Sequence, residues 1–172
     1  MIEVSKGLIL PEVLVIRRKI SLDHRGINFD VWDKREYVDA GINVDWVQVN
    51  GSRSRRGVIR GLHGDDHTYK LVCCARGSFW LTVVNYVQNS PDFGKWERFI
   101  LTEDNGLQVL IPPNYLNGHL ALSRKTIFLY LQSSHYTGAE NQWSVRWNDP
   151  RFNIPWPVTS PILSERDGGR KL

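Results

Sequence analysis

The run KLVCCARGSFWLTVVNY, residues 70–86, decides the fold class. Two apolar stretches, 70–75 and 78–86, are rich in Val, Leu and aromatic side chains and are separated by Arg76-Gly77. Short apolar runs punctuated by turn residues read as β-strands. The pattern repeats outward in both directions, at 12–16, 46–50 and 58–62 and then at 96–101, 108–111, 120–122, 126–132 and 143–146. Turn signals stand between them, among them Gly57, Asn89-Ser90-Pro91, Asp104-Asn105-Gly106 and Pro112-Pro113-Asn114. Many short strands at regular spacing predict an all-β sandwich or barrel, of which a double-sheet jelly roll is one form. Residues 29–40 mix charged and apolar side chains at a spacing that predicts a short helix. No repeat or linker interrupts the chain, which reads as one domain over residues 1–172 with a loose tail at 168–172.

At 172 residues, the chain buries roughly 70% of its unfolded surface, enough to need no metal or disulfide staple. With 41% hydrophobic and 23% charged residues, and seven Trp, six Tyr and six Phe, the composition excludes intrinsic disorder. No apolar run approaches the roughly 20 residues of a membrane helix. Residues 1–10 carry Glu3 and Lys6 within their apolar stretch and read as no signal peptide. The formal charge of +4 is partly due to the run 53–56 and the basic residues from Arg166 to Lys171, read first as solvated surface. Cys73 and Cys74 are adjacent within an apolar run and read as small buried hydrophobes. A cytoplasmic location is expected.

Five histidines, at 24, 63, 67, 119 and 135, raise the question of a metal. His63 and His67 would share one face of a helix, but they lie between strand patterns, so no metal site is expected. Arg60-Gly61-Leu62-His63 carries more information. Straight strand alternation puts Arg60 and His63 on opposite faces, while a kink at Gly61 would change that, so the residues alone leave the direction of His63 open.

Asp23-x-Arg25-Gly26, Gln48-x-Asn50-x-Ser52-x-Ser54, Gly57-Val58-Ile59-Arg60-Gly61-Leu62-His63 and Lys70-Leu71-Val72 are followed in order by Ser90-Pro91-Asp92-Phe93-Gly94-Lys95-Trp96, Ile111-Pro112, Leu122-Ser123 and Tyr130. Trp147-Asn148-Asp149-Pro150, Ile154-x-Trp156-Pro157 and Leu163-Ser164-x-x-Asp167 complete the set. In this collinear arrangement the chain resembles the dTDP-4-dehydrorhamnose 3,5-epimerase family of cupin-type enzymes. The resemblance implies a metal-free, cofactor-free jelly roll, with one or two short helices, acting on a nucleotide-diphosphate-linked 4-keto sugar as a homodimer that exchanges N-terminal strands. It matches His63 to the base, Asp167 to its carboxylate partner, Tyr130 to the general acid and Lys70 to a residue beside the keto group. Arg25, Arg60, Gln48 and Asn50 match residues that hold the diphosphate.

Elementary chemistry agrees with those assignments. A proton next to a ketone is removed by a base of near-neutral pKa, and histidine is the natural one. A carboxylate fixes its tautomer, a tyrosine returns a proton to the other face, and a cation stabilises the enolate.

Three departures from the family pattern bear on the substrate. The Gln usual two residues after the base is Asp65, whose carboxylate suits a guanine edge and points to a GDP-linked hexose or heptose. In the segment that usually reads Pro-x-Gly-Phe-x-His-Gly-Phe, the His is Asn117 and the final Phe is His119, which puts the sugar in question. The Glu after the Arg-Gly motif is Asp30, shorter by one methylene. Competing readings are a ketoisomerase, a non-catalytic nucleotide-sugar binder and a nucleic-acid binder. The last is disfavoured because the aromatics do not interleave with the basic run.

Overall fold

A computed structural model of the chain describes residues 1–168, and its regular structure is almost all antiparallel β. In chain order the strands are β1 (Glu3–Lys6), β2 (Leu14–Arg17), β3 (Ser21–Asp23), β4 (Gly26–Asn28), β5 (Gln48–Ser54), β6 (Ile59–Gly64) and β7 (Lys70–Arg76). They continue as β8 (Ser78–Asn85), β9 (Trp96–Thr102), β10 (Leu107–Ile111), β11 (Tyr115–Ala121), β12 (Thr126–Gln132) and β13 (Trp143–Ser144). Among the described residues, six strands form one sheet in the order β1-β2-β10-β7-β12-β5, and five form another in the order β13-β6-β11-β8-β9. β3 and β4 make a separate hairpin. The two sheets face each other as a jelly roll, the expected all-β architecture.

Strand alternation sorts the core into three layers. Phe79, Leu81 and Val83 of β8 point between the sheets with Val72, Cys74, Val109 and Phe128. Each large apolar side chain so buried contributes about 1.5–3 kcal/mol. Trp80 and Val84 point outward, where they are covered by Phe152 and Trp156 of the C-terminal segment. Burial on both faces is why 78–85 reads as an unbroken apolar run. On the other sheet, Leu71, Leu110 and Leu131 face outward against Tyr37 and Ile42. Cys73 and Cys74 are both buried and free, as expected for small hydrophobes.

The differences from expectation have local causes. α1 (Lys34–Asp39) is shorter than the predicted 29–40, because Asp33 caps it in an extended conformation, its side chain accepting from the Glu36 N–H at 3.1 Å. A single 3-10 turn, Ala139–Asn141, precedes β13. β11 begins at Tyr115, well before the predicted 120, because Asn117-Gly118-His119 breaks the apolar signal. β1, β3 and β4 are exposed along their whole length and offer no alternation to read. Of the expected tail, residues 169–172 lie outside the described residues; Gly168 closes a turn on the Glu165 carbonyl at 3.0 Å. Among the described residues no helix is long and apolar enough to cross a membrane.

A bulge resolves the direction of His63. On β6 and β11, His63 pairs with Asn117 and Arg60 with His119, so two residues of β6 lie opposite the single Gly118. The extra residue turns Arg60 and His63 to the same side. Gly61 makes this possible: its φ is +114°, and a Cβ there would lie 2.6 Å from both Asn117 O and Gly118 Cα.

Candidate active site

Where the apolar filling between the sheets gives way to polar side chains, a cavity of about 290 Å³ opens. One wall is Ser52, Lys70, Phe128 and Tyr130, from β5, β7 and β12; the facing wall is Arg60, His63, Asn117 and His119, from β6 and β11. The C-terminal segment adds Tyr136, Gln142, Ser164, Arg166 and Asp167.

Asp167 is buried at 4% exposure, and its Oδ1 lies 2.7 Å from His63 Nε2. The oxygen stands off the axis of the ring N–H, so this is a close electrostatic contact rather than a straight hydrogen bond. Ser164 Oγ donates to the carboxylate at 2.8 Å and the Gly61 N–H at 3.3 Å. Burial alone would raise the Asp167 pKa; the His63 contact, Ser164 and Gly61 outweigh it and hold the carboxyl below its ordinary value. With Nε2 turned to a carboxylate, Nδ1 is the His63 nitrogen left to take up a proton.

Burial pushes the Tyr130 phenol above its ordinary value, reinforced by Tyr136, so it stays protonated at neutral pH. Lys70 is 7% exposed; burial lowers its pKa, with Asp65 opposing and Arg166 adding to the effect. Arg60 Nε donates to Ser54 Oγ at 3.1 Å, and Arg166 Nε to Ser144 Oγ at 2.8 Å. The cavity therefore holds a histidine with a carboxylate, a protonated phenol and three cationic side chains. That set can abstract a carbon-bound proton, stabilise the resulting oxyanion and bind phosphate.

The cavity brings together His63, Tyr130, Asp167, Lys70, Arg60, Asn117 and His119 from the sequence-derived set. It does not bring in the rest. Gln48 Oε1 accepts from Gln132 Nε2 and from the Tyr136 N–H, and Gln48 Nε2 donates to Asn50 Oδ1, so this pair anchors the Tyr136 segment beside the cavity. Arg25 sits on the β3–β4 hairpin, paired with Asp23 at 2.6 Å. Asp30 lines a separate cavity of about 210 Å³ with Arg18 and Tyr37. Asp65 does not line this cavity either. Its Oδ1 accepts from the Thr68 and His67 N–H groups and its Oδ2 from Gln142 Nε2, so the carboxylate shapes a loop instead of facing the cavity.

Sequence reasoning missed Ser52, Phe128, Tyr136, Gln142, Ser164 and Arg166 as wall residues. Ser52 and Ser164 stand inside quoted motifs, and strand period would have placed Ser52 beside Asn50. Tyr136 and Gln142 lie outside any motif. Part of the basic run also borders the site: Arg53 and Arg55, with Arg124 and Lys125, flank a groove of about 560 Å³ that shares Arg60 and Asp167 with the cavity. Among the described residues, no group of three or more His, Cys, Asp or Glu is placed to hold a metal. His67 pairs instead with Asp66 at 2.8 Å on the surface.

The family model for dTDP-4-dehydrorhamnose 3,5-epimerase matches residues 8–172. The chain belongs to this family. It is 35% identical over 168 residues to the dTDP-4-dehydrorhamnose 3,5-epimerase of Shigella flexneri, covering 95% of this chain and 92% of the relative. The crystal structure of a dTDP-6-deoxy-D-glucose-3,5-epimerase from Legionella pneumophila, in complex with dTDP-4-keto-L-rhamnose, superposes with a TM-score of 0.90 at 31% identity, covering 98% and 90% of the two chains. A 3'-monoepimerase from Streptomyces bikiniensis in complex with dTDP-quinovose gives 0.87 at 29% identity, covering 95% and 84%. As a member of the epimerase family the chain is an isomerase, and its relatives include both double and single epimerases.

Proposed function

We propose that this epimerase inverts C3, or C3 and C5, of a dTDP-linked 4-keto sugar, with His63 as base, Asp167 as its orienting carboxylate, Tyr130 as acid and Lys70 at the enolate oxygen. The observation that carries the reading is the 2.7 Å contact between His63 and Asp167, on one wall of a cavity whose facing wall bears Tyr130 and Lys70. Inversion needs a base on one face of the carbon and an acid on the other. Side chains from two opposed sheets meet that need.

In this reading His63 Nδ1 takes the proton next to the ketone, and the C–H electron pair becomes the enolate. Its oxygen is stabilised by the Lys70 ammonium, whose depressed pKa readies it to share a proton. Tyr130 then gives its phenolic proton to the opposite face of the carbon, leaving the centre inverted and the ketone restored. Arg60, Arg166 and Ser52 Oγ, a buried hydroxyl without a partner among the described residues, are assigned to the diphosphate. The dTDP base is preferred to GDP because the Asp65 carboxylate, the group that would suit guanine, is occupied by Thr68 and Gln142.

Arg25 is assigned to the site of a second copy. The β3–β4 hairpin that carries it joins neither large sheet and exposes Leu22 at 76% and Ile27 at 39%, which suits a homodimer in which each hairpin crosses to the partner. Deoxysugar biosynthesis in the cytoplasm is the setting assigned, where buried thiols such as Cys73 and Cys74 stay reduced.

The test is proton NMR in D2O with dTDP-4-keto-6-deoxyglucose and, separately, its GDP counterpart. Loss of the C3 signal with the dTDP sugar, with or without the C5 signal, is expected, and His63→Asn should abolish it. Full exchange in His63→Asn, or exchange with the GDP sugar alone, would overturn the reading.

A further inference from the structure

Asn117 and His119 stand one strand period apart on β11, and both line the cavity. Their situations differ. Asn117 Nδ2 donates to the His63 carbonyl at 3.4 Å, so its amide is tied to the neighbouring strand. His119 is 4% exposed and stacked on Phe128, with ring centroids 4.0 Å apart and planes within 6°, while Phe79 closes on it at 5.5 Å. Its Nε2 has no hydrogen-bond partner among the described residues.

An aromatic slot of this shape suits a phenyl ring. An imidazole stacks as well but brings polar atoms whose hydrogen bonds to water are lost on burial. A buried polar group left unpaired calls for a reason, such as strain, acid–base work or a partner that a ligand supplies. Strain fails, because His119 is paired in register with β8 and has no unusual backbone angle. Acid–base work fails as well. Burial, with Arg60 close by, pulls the His119 pKa down to about 3, so the ring is uncharged and a poor base at neutral pH.

We propose that His119 sets the choice of sugar: its imidazole hydrogen-bonds the one ring hydroxyl that meets the inner His119–Phe128 wall when the carbons beside the ketone lie between His63 and Tyr130. This rests on the reading of the chain as a dTDP-sugar epimerase. A neutral imidazole has one donor and one acceptor, so it pairs with a hydroxyl in either tautomer. A hydrogen or methyl in the same place leaves the ring unpaired, and sites built to hydrogen-bond a hydroxyl reject such analogues strongly. His119 is thus a specificity residue that exchanges no proton with the reacting carbons.

Calorimetric titration of the wild type, His119→Phe and His119→Gln tests this. The ligands are dTDP, dTDP-glucose and the 2-deoxy and 3-deoxy forms of dTDP-glucose, which have no 4-keto group and report binding without turnover. One deoxy form should bind the wild type roughly tenfold more weakly than dTDP-glucose. His119→Phe should bind that pair equally, His119→Gln should keep part of the preference, and all three proteins should bind dTDP within about twofold. His119→Phe should also melt at a higher temperature than the wild type, which shows that it folds. Identical affinity ratios in the wild type and His119→Phe for both deoxy forms overturn the proposal and leave the nucleotide-sugar reading standing. Failure of the wild type to bind dTDP or dTDP-glucose overturns both.

Discussion

Replacing Asp167 by Asn removes one charge without changing shape, and the structure says which nitrogen will suffer. The native carboxylate accepts from Ser164 Oγ and the Gly61 N–H and lies 2.7 Å from His63 Nε2. An Asn must present its NH2 to one of these neighbours. If it faces His63, Nε2 becomes an acceptor and the proton moves to Nδ1, the nitrogen that must be bare to act as base. If it faces Ser164, His63 keeps its tautomer but loses the charge that stabilises the imidazolium. A well-placed base contributes about 10²–10⁴ in rate, so deuterium exchange at C3 should fall by that factor. The lost charge-assisted bonds should cost about 2 kcal/mol, or a Tm lower by roughly 4–8 °C for a chain of this size. dTDP affinity, read by calorimetry, should stay within about threefold, because the diphosphate is assigned to other side chains. Exchange within threefold of wild type would refute the role of Asp167; a parallel collapse of dTDP binding would make it a structural residue instead.

Two further outcomes follow from burial and backbone. Gly61→Ala forces a Cβ to within 2.6 Å of β11 at a φ of +114°, and should cost about 3 kcal/mol or more, seen as a Tm lower by roughly 6–12 °C together with loss of exchange activity. Acid should destabilise the protein from about pH 6.5 downward. The folded-state pKa of His119 is depressed from 6.5 to about 3, so its stabilisation is complete above 6.5 and drains at about 1.4 kcal/mol per pH unit as the unfolded chain takes up the proton. Asp167 and Asp65, also depressed, add to the loss below 3.8, while the raised pKa of exposed His67 opposes it slightly above 6.5. Urea melts of the wild type and His119→Phe between pH 7 and 4.5 check this, and parallel stability curves would refute it.

The fold was legible where apolar runs of strand length stand between turn residues. The sequence of 70–86 foretold β7 and β8, and 126–132 foretold β12 to the residue, because central strands covered on both faces must be apolar along most of their length. His63, Tyr130, Lys70 and Asp167 were legible through the motifs that carry the family resemblance; by residue type alone Tyr130 reads as core and Asp167 and Lys70 as surface charges. Polar strands were not: β5 beyond Asn50 and β11 before Leu120 turn hydrophilic side chains inward to line a cavity, and nothing in their composition separates that from turning them to water. Long-range pairings were equally hidden. The bulge that brings Arg60 and His63 to one face arises from the register of β6 against β11, more than fifty residues away in the chain. Asp65 reads as a free carboxylate until Thr68 and Gln142 are seen to use it, and Arg166, Tyr136 and Gln142 join the site only because the C-terminal segment folds back across its mouth. Apolar runs and turn residues thus determined the all-β class, and the motifs that carry the family resemblance pointed to the groups of the site. Which groups share one cavity, and which of them stay uncharged, depends on distances and dielectric surroundings that exist only once the two sheets have closed.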